Sequence, residues 1–232
     1  TKLDGVNEGG VAAGFAVLSS PLAAAPSAVL SAEVPLAEAL GVPLFVTFHG
    51  GDATKETHQR RRLIPTIYQR RLSHLQAYAS GFLCVSQFVA DRLAAQGFPK
   101  AKLITHYIGI DVSGMQQPEQ RQGRLLFIGR LVDKKGVDIL LAAMRRLHQS
   151  DGKIVPRLDI AGSGPLEAEL RAQAADLPSV RFLGWQTPDQ LSRILHKAQA
   201  VVVPSRIAAD GDCEGLPTVV LESIRAGVPV VA

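Results

Sequence analysis

Twice along its length the chain alternates short apolar runs with segments whose apolar residues fall on one helical face, and the connections between them are short. Runs that are apolar throughout, rather than at every second residue, belong to strands covered on both sides. In the second half these runs are "RLLFIG" (124–129), "RLDIAG" (157–162), "VRFLG" (180–184), "QAVVVPS" (199–205) and "VPVVA" (228–232). Between them lie helical segments, beginning with Gly136 to His148, where Val137, Leu140, Leu141, Met144 and Leu147 share a face. "GPLEAELRAQAADL" (164–177), with Pro165 in its first turn, and "PDQLSRILHKA" (188–198) follow. The first half repeats the scheme. "PLFVTF" (43–48), "GFLCVS" (81–86) and part of "AKLITHYIGID" (101–111) read as strands, and "QFVADRLAAQG" (87–97) as a helix closed by Gly97. Lys55 to about Tyr78 reads as one or two helices broken near Pro65. The polar, Pro-containing stretch 112–123 is the best boundary. The expected fold is therefore α/β, with two Rossmann-like doubly wound parallel sheets, in domains 1–113 and 114–232.

Composition removes several function classes. Cys84 and Cys213 are too few for a disulfide framework and lack metal-ligand spacing, which points to a reducing compartment and no metal site. A net charge of +4 and a pI near 9.3 suit anionic ligands or a membrane face and do not call for nucleic acid. Residues 9–32 carry no charge, yet their apolar content is mostly Ala and Gly and they are interrupted by Pro21 and Pro26, so they read as buried core and not as a membrane span.

In open parallel sheets, ligands sit beyond the carboxyl ends of the strands. The loops there are rich in glycine or charge: "HGGD", "GRLVDKKG", "GSGP", "GWQTP" and "SRIAADGDCEG". Arg130 and Lys135 stand five positions apart before a helix start, where two cations and free amides can clamp a pyrophosphate; the other reading is a solvated basic turn. "GSGP" (162–165) is a second glycine loop, but it lacks the three-glycine dinucleotide spacing, so a dehydrogenase is poorly supported. His49 ends a strand and can polarise a substrate group, with Asp52 to orient it; a structural histidine is the alternative. Glu214 and Glu222 flank Gly215 and Pro217, which puts the first in a loop and the second about a turn and a half into a helix. They either border one cleft or are unrelated surface carboxylates.

These motifs resemble, in order, those of the family 4 glycosyltransferases of the GT-B fold. The resemblance rests on "LLFIGRLVDKKGVDILLAAMRRL", "LDIAGSGPLEAEL", "VRFLGW", "VVVPS" and "EGLPTVVLESIRAGVPVVA", with "GVPLFVTFHGGDAT", "FLCVSQFVADRLAAQGFPKAKL" and "HYIGID" upstream, and covers roughly residues 40 to 232. It implies a retaining sugar transfer from a nucleotide-sugar in the cleft between two domains, 1–113 on the acceptor side and 114–232 on the donor side. Arg130 and Lys135 match the family's phosphate-binding pair, and Gly164 lies in the second glycine loop of the donor site. Glu214 and Glu222 match the E-x7-E pair, the first contacting the donor sugar and the second the ribose. Gly215 and Leu216 would bring backbone amides to the sugar and phosphate, and His49 matches an active-site histidine. The implied roles are catalytic for His49 and Glu214, with donor binding by Arg130, Lys135, Gly164, Glu214, Gly215, Leu216 and Glu222. No cofactor is implied, because the nucleotide-diphosphate sugar is a substrate.

The implied partners are that donor and a glycan or lipid-linked acceptor, in the cytoplasm or at the inner membrane face. Arg60, Arg61, Arg62, Arg70 and Arg71 suggest an anionic membrane surface, with a solvated helix face as the other reading. The chain departs from the family pattern at both ends: nothing before residue 40 reads as the expected first strands, and the pattern usually continues past "GVPVVA". It therefore reads as an internal fragment with both domains incomplete, whose sheet edges could pair it into a homodimer. The alternatives are a non-catalytic fragment keeping a nucleotide-sugar half-site, or a nucleotide-sugar epimerase or phosphorylase of the same fold.

Overall fold

The computed structural model describes residues 16–19, 34–50, 53, 67–112, 123–150 and 155–232. Asp52, the arginines at 60–62, the stretch 55–66, most of the linker and most of the uncharged segment lie outside the described residues. The chain forms two compact units. The first runs to Ile108 and also takes in Asp210–Leu216; the second comprises Gly109–Ala209 and Pro217–Ala232.

In the first unit the described elements are β1 (Ala16–Ser19), α1 (34–40), β2 (Leu44–Phe48), α2 (Ile67–Tyr78), β3 (Gly81–Cys84), α3 (Gln87–Ala95) and β4 (Leu103–Thr105). The strands form one parallel sheet in the order β1-β2-β3-β4. The structure corrects one expectation here. A strand does precede residue 40: β1 falls in the uncharged stretch and pairs in parallel with β2, Ala16 opposite Leu44. Its four residues, Ala-Val-Leu-Ser, sit inside a longer Ala- and Gly-rich run, where so short an apolar stretch does not announce a strand by its pattern alone. The core is centred on Phe48, Phe82 and Phe98, whose rings meet edge to face at 4.9–6.2 Å.

The second unit contains β5 (Arg124–Ile128), α4 (Val137–His148), β6 (Arg157–Ala161), α5 (Glu167–Gln173), β7 (Val180–Gly184), α6 (Pro188–Lys197), β8 (Ala200–Val202), α7 (Thr218–Arg225) and β9 (Val230–Val231). All pairings are parallel, in the order β7-β6-β5-β8-β9. The order reverses between β5 and β8, the switch point at which such sheets open a crevice beyond their carboxyl ends. Successive residues of β5 serve opposite faces. Phe127 joins a core with Leu141, Met144 and Ile160, while Leu126 joins one with Leu195, Val201 and Val219. That explains why the run is apolar throughout. Helix α6 starts with a capping box, in which Thr187 Oγ1 accepts from the Gln190 amide and the Gln190 side chain accepts from the Thr187 amide. Helix α5 is shorter than its sequence pattern, because Gly164 to Leu166 are spent in a turn against the β5 loop.

Candidate functional site

The loops beyond β5, β6 and β7 are joined backbone to backbone. The Gly129 amide donates to the Ala161 carbonyl at 3.0 Å, and the Gly162 amide to that of Gly184 at 2.8 Å. The Leu131 amide donates to the Ser163 carbonyl at 2.9 Å. Glycine is required by this approach: a Cβ on Gly162 would lie 1.9 Å from the Gly129 oxygen, and one on Gly164 2.4 Å from that of Leu131. Arg130 projects from this rim and is exposed. Lys135 is half-buried and runs back over Gly129, its Cε 3.5 Å from where a Cβ would stand.

At the switch point the β5 and β8 loops are equally close. Gly136 adopts a left-handed conformation (φ 62°) before α4, and a Cβ there would meet the Pro204 oxygen at 1.9 Å. The Arg206 amide donates to the Lys134 carbonyl at 2.8 Å. The Arg206 guanidinium bonds Asp138 at 2.7 Å and also bonds Asp133. This clamp holds the short turn Asp133–Lys135 that carries Lys135. One guanidinium balances only one of the two carboxylates, so with Arg130, Lys134 and Lys135 the turn carries four cations against two carboxylates, a local excess of two. Beside it, the Ser205 hydroxyl is enclosed and has no hydrogen-bond partner among the described residues.

Arg206 holds the Asp133 carboxyl below the usual aspartate value of 3.8, chiefly by its hydrogen bond and against the cost of desolvation. A carboxylate with a lowered pKa adds stability that is present above its unfolded value and lost as pH falls through the folded one. Arg206→Gln should therefore destabilise the chain at neutral pH. The expected cost is about 1 kcal/mol or less, since the three groups are 34–47% exposed. The difference from the parent should close as pH falls below 3.8. Urea melts at neutral and acid pH measure it, and a gap that persists undiminished in acid refutes the clamp.

In the first unit, the end of β2 meets the loop Asp210–Leu216. A Cβ on Gly215 would lie 2.4 Å from the His49 carbonyl oxygen and 2.9 Å from Gly50 Cα, so the two backbones touch. The Ser86 hydroxyl fastens the loop from the other side, donating to the Gly215 carbonyl at 2.9 Å while accepting from the Val89 amide at the start of α3. The His49 side chain is exposed, and Glu214 is half-buried. Leu216 packs against the first unit's core, and Cys213 is buried. The structure thus brings His49, Glu214, Gly215 and Leu216 into one unit and Arg130, Lys135, Gly164 and Glu222 into the other. Glu222 is exposed on α7. Sequence reasoning missed Arg206 and Ser86. A serine just before "QFVADRL" does signal a helix cap, but its bond to a residue 129 positions away has no local trace.

Two family models account for nearly all of the chain. "Glycosyltransferase Family 4" matches residues 18–113 and "Glycosyl transferases group 1" matches residues 122–232. The chain belongs to glycosyltransferase family 4. Among curated relatives of this family it is 31% identical over 192 residues to the amylovoran biosynthesis glycosyltransferase AmsK of Erwinia amylovora, covering 80% of this chain and 45% of that protein. It is 28% identical over 206 residues to a glycogen synthase of Mycobacterium tuberculosis, covering 85% and 48%. The chain spans about half the length of the curated relatives it matches. Among solved structures, Anabaena Alr3699/HepE in complex with UDP-glucose superimposes with a TM-score of 0.68 at 19% identity, over 88% of this chain and 57% of that one. At that identity the likeness speaks to fold, and the fold is α/β of the GT-B type. For this family 4 chain, no helix among the described residues is long and apolar enough to cross a membrane.

Proposed function

We propose that the protein transfers a sugar from a nucleotide-diphosphate donor to a hydroxyl of a polysaccharide precursor or lipid-linked glycan, with retention at the sugar carbon. The observation that carries this reading is the rim beyond β5 and β8, where Arg130 and Lys135 stand over glycine-built loops at the sheet's reversal. Developing negative charge on a departing diphosphate is what two such cations stabilise. The enclosed Ser205 hydroxyl supports a polar ligand there, since an enclosed polar atom calls for a partner.

In this reading Glu214 holds hydroxyls of the donor sugar, and Glu222 the ribose. Gly215 and Leu216 contribute amides, and Gly164 keeps the second loop free of side chains. His49 orients the sugar and acceptor. The bond from the sugar carbon to the phosphate oxygen breaks as the acceptor oxygen bonds to the same face, and the acceptor proton passes to the leaving diphosphate. The protein's contribution is then positioning and charge stabilisation, and neither glutamate need form a covalent bond. Donor chemistry is supported by the UDP-glucose complex of the Anabaena protein, and a polysaccharide acceptor by the relatives named for amylovoran and glycogen synthesis.

The test is calorimetric titration of the chain with UDP, GDP and ADP. One diphosphate is expected to bind in preference to the others, naming the donor base. No binding by a chain whose circular dichroism shows it folded would overturn the donor-site reading.

A further inference from the structure

A second basic site lies at the opposite end of the same sheet. Asp159 sits in the middle of β6, 3% exposed, in a strand otherwise apolar after its first residue. Its carboxylate is held by two arginines. Arg181 from β7 donates Nε and Nη2 to the two oxygens at 3.0 and 2.9 Å, and Arg124 from the start of β5 reaches both with Nη1 at 3.3 and 3.5 Å. Only the carboxylate is buried, Arg124 and Arg181 being 26% and 59% exposed, and a packed apolar side chain in its place would serve stability as well or better. What the cluster does provide is fixed guanidinium planes. Arg124 spends only Nη1 on Asp159, and Arg181 leaves its Nη1 outside the pair, so N–H groups of both remain to face a ligand.

These groups line a 320 Å³ cavity that is closed on its other side by α6, which contributes Arg193 and Lys197. Two like charges four residues apart on a helix disfavour it by a few tenths of a kcal/mol, roughly. Lys197, in the last turn, suits the helix dipole; Arg193 is a turn earlier and has no hydrogen bond or ion pair among the described residues. Four cations and one carboxylate thus line the cavity, on a chain whose whole net charge is +4. The cavity is open and near the small end of ligand pockets, roughly 300 Å³ upward. It lies about five residues, roughly 16 Å, down β5 from Gly129, so it is separate from the rim that carries Arg130 and Lys135.

We propose that this cavity binds a phosphate monoester group, gripped by Arg124 and Arg181 from the sheet and by Arg193 and Lys197 from α6. Planar guanidinium forks match phosphate oxygens, and Asp159 keeps two of the forks in place. The group can belong to a soluble phosphate compound or to a lipid headgroup.

The test is calorimetric titration of the chain with inorganic phosphate, together with co-sedimentation on phosphatidylcholine vesicles that carry phosphatidic acid. Both are repeated with Arg193→Ala/Lys197→Ala, which alters only exposed side chains of α6, and with Arg130→Ala/Lys135→Ala. Saturable uptake of phosphate or of vesicles is expected. It should weaken by about tenfold or more in the α6 variant and be retained in the rim variant. Phosphate uptake alone assigns a soluble ligand, and vesicle capture that phosphate competes away assigns a headgroup. Absence of saturable uptake in both assays, equal uptake by the α6 variant, or loss confined to the rim variant would overturn the proposal.

Discussion

Gly162→Ala should lower the melting temperature of the second unit by about 10 °C or more, among the largest stability effects expected of a single methyl group among the described residues. Two costs coincide at this position. The backbone sits at φ 139°, which side chains rarely adopt, and the added Cβ would stand 1.9 Å from the Gly129 carbonyl oxygen. That oxygen is backbone, so the β5 and β6 loops must separate to admit it. Conformational strain of roughly 1–3 kcal/mol then adds to overpacking of roughly 1–3 kcal/mol. Gly184→Ala separates the two terms. Its φ of 68° is also left-handed, but nothing lies within 4 Å of the added atom. It should cost only the conformational part, about 1–2 kcal/mol. Differential scanning calorimetry of the two variants measures the difference. If Gly162→Ala melts within about 2 °C of Gly184→Ala, the loops are not in backbone contact and the account of the rim fails.

The same contrast explains how far the sequence could be read. Runs such as 124–128 and 157–161 announced buried parallel strands because their periodicity follows directly from being covered on both faces, and Leu126 and Phe127 do serve opposite cores. Glycine loops announced close approach at the strand ends, without saying what approaches. At Gly136, Gly162 and Gly164 the neighbour is another loop's backbone, so these glycines are required by packing whether or not a ligand also comes near. Gly164, expected on the donor site, is accounted for in this way.

What stayed illegible is long-range and polar. Arg206 lies in a loop with no periodicity, and its partners Asp133 and Asp138 are 73 and 68 positions away. Asp159 interrupts a buried run, which does signal something unusual, but its partners on β5 and β7 follow only once strand order and register are known. Strand β1 was missed because its Ala-Val-Leu-Ser is a short stretch inside a longer Ala- and Gly-rich run, and its place is set by pairing with β2. The loop 210–216 shows the same limit. Its sequence adjoins α7 of the second unit, yet it packs with the first, through Gly215 against His49 and through Ser86.

Arg130→Ala/Lys135→Ala should weaken binding of a nucleoside diphosphate by about 100-fold, the largest functional effect expected. Each hydrogen bond from a cation to a phosphate oxygen is worth roughly 1.5–3 kcal/mol, and two such bonds are removed. The residues differ in setting, and their single variants should differ accordingly. Lys135 is half-buried along Gly129, on a turn fixed by Arg206, so its ammonium is placed before a ligand arrives. Arg130 is exposed and must be ordered on binding, which offsets part of its contribution through lost side-chain entropy, roughly 1–2 kcal/mol for a long cation. Lys135→Ala should therefore be the costlier single change. The Arg130 contribution should fall more steeply with added salt, because exposed charges are screened more than half-buried ones. Titrating the parent and the variants with UDP and with uridine at two ionic strengths separates charge from scaffold. Uridine lacks the diphosphate, so its affinity should be unchanged in every variant. If uridine weakens in step with UDP, the substitutions have disturbed the loops rather than removed a phosphate clamp, and Arg130 and Lys135 lose the role assigned to them.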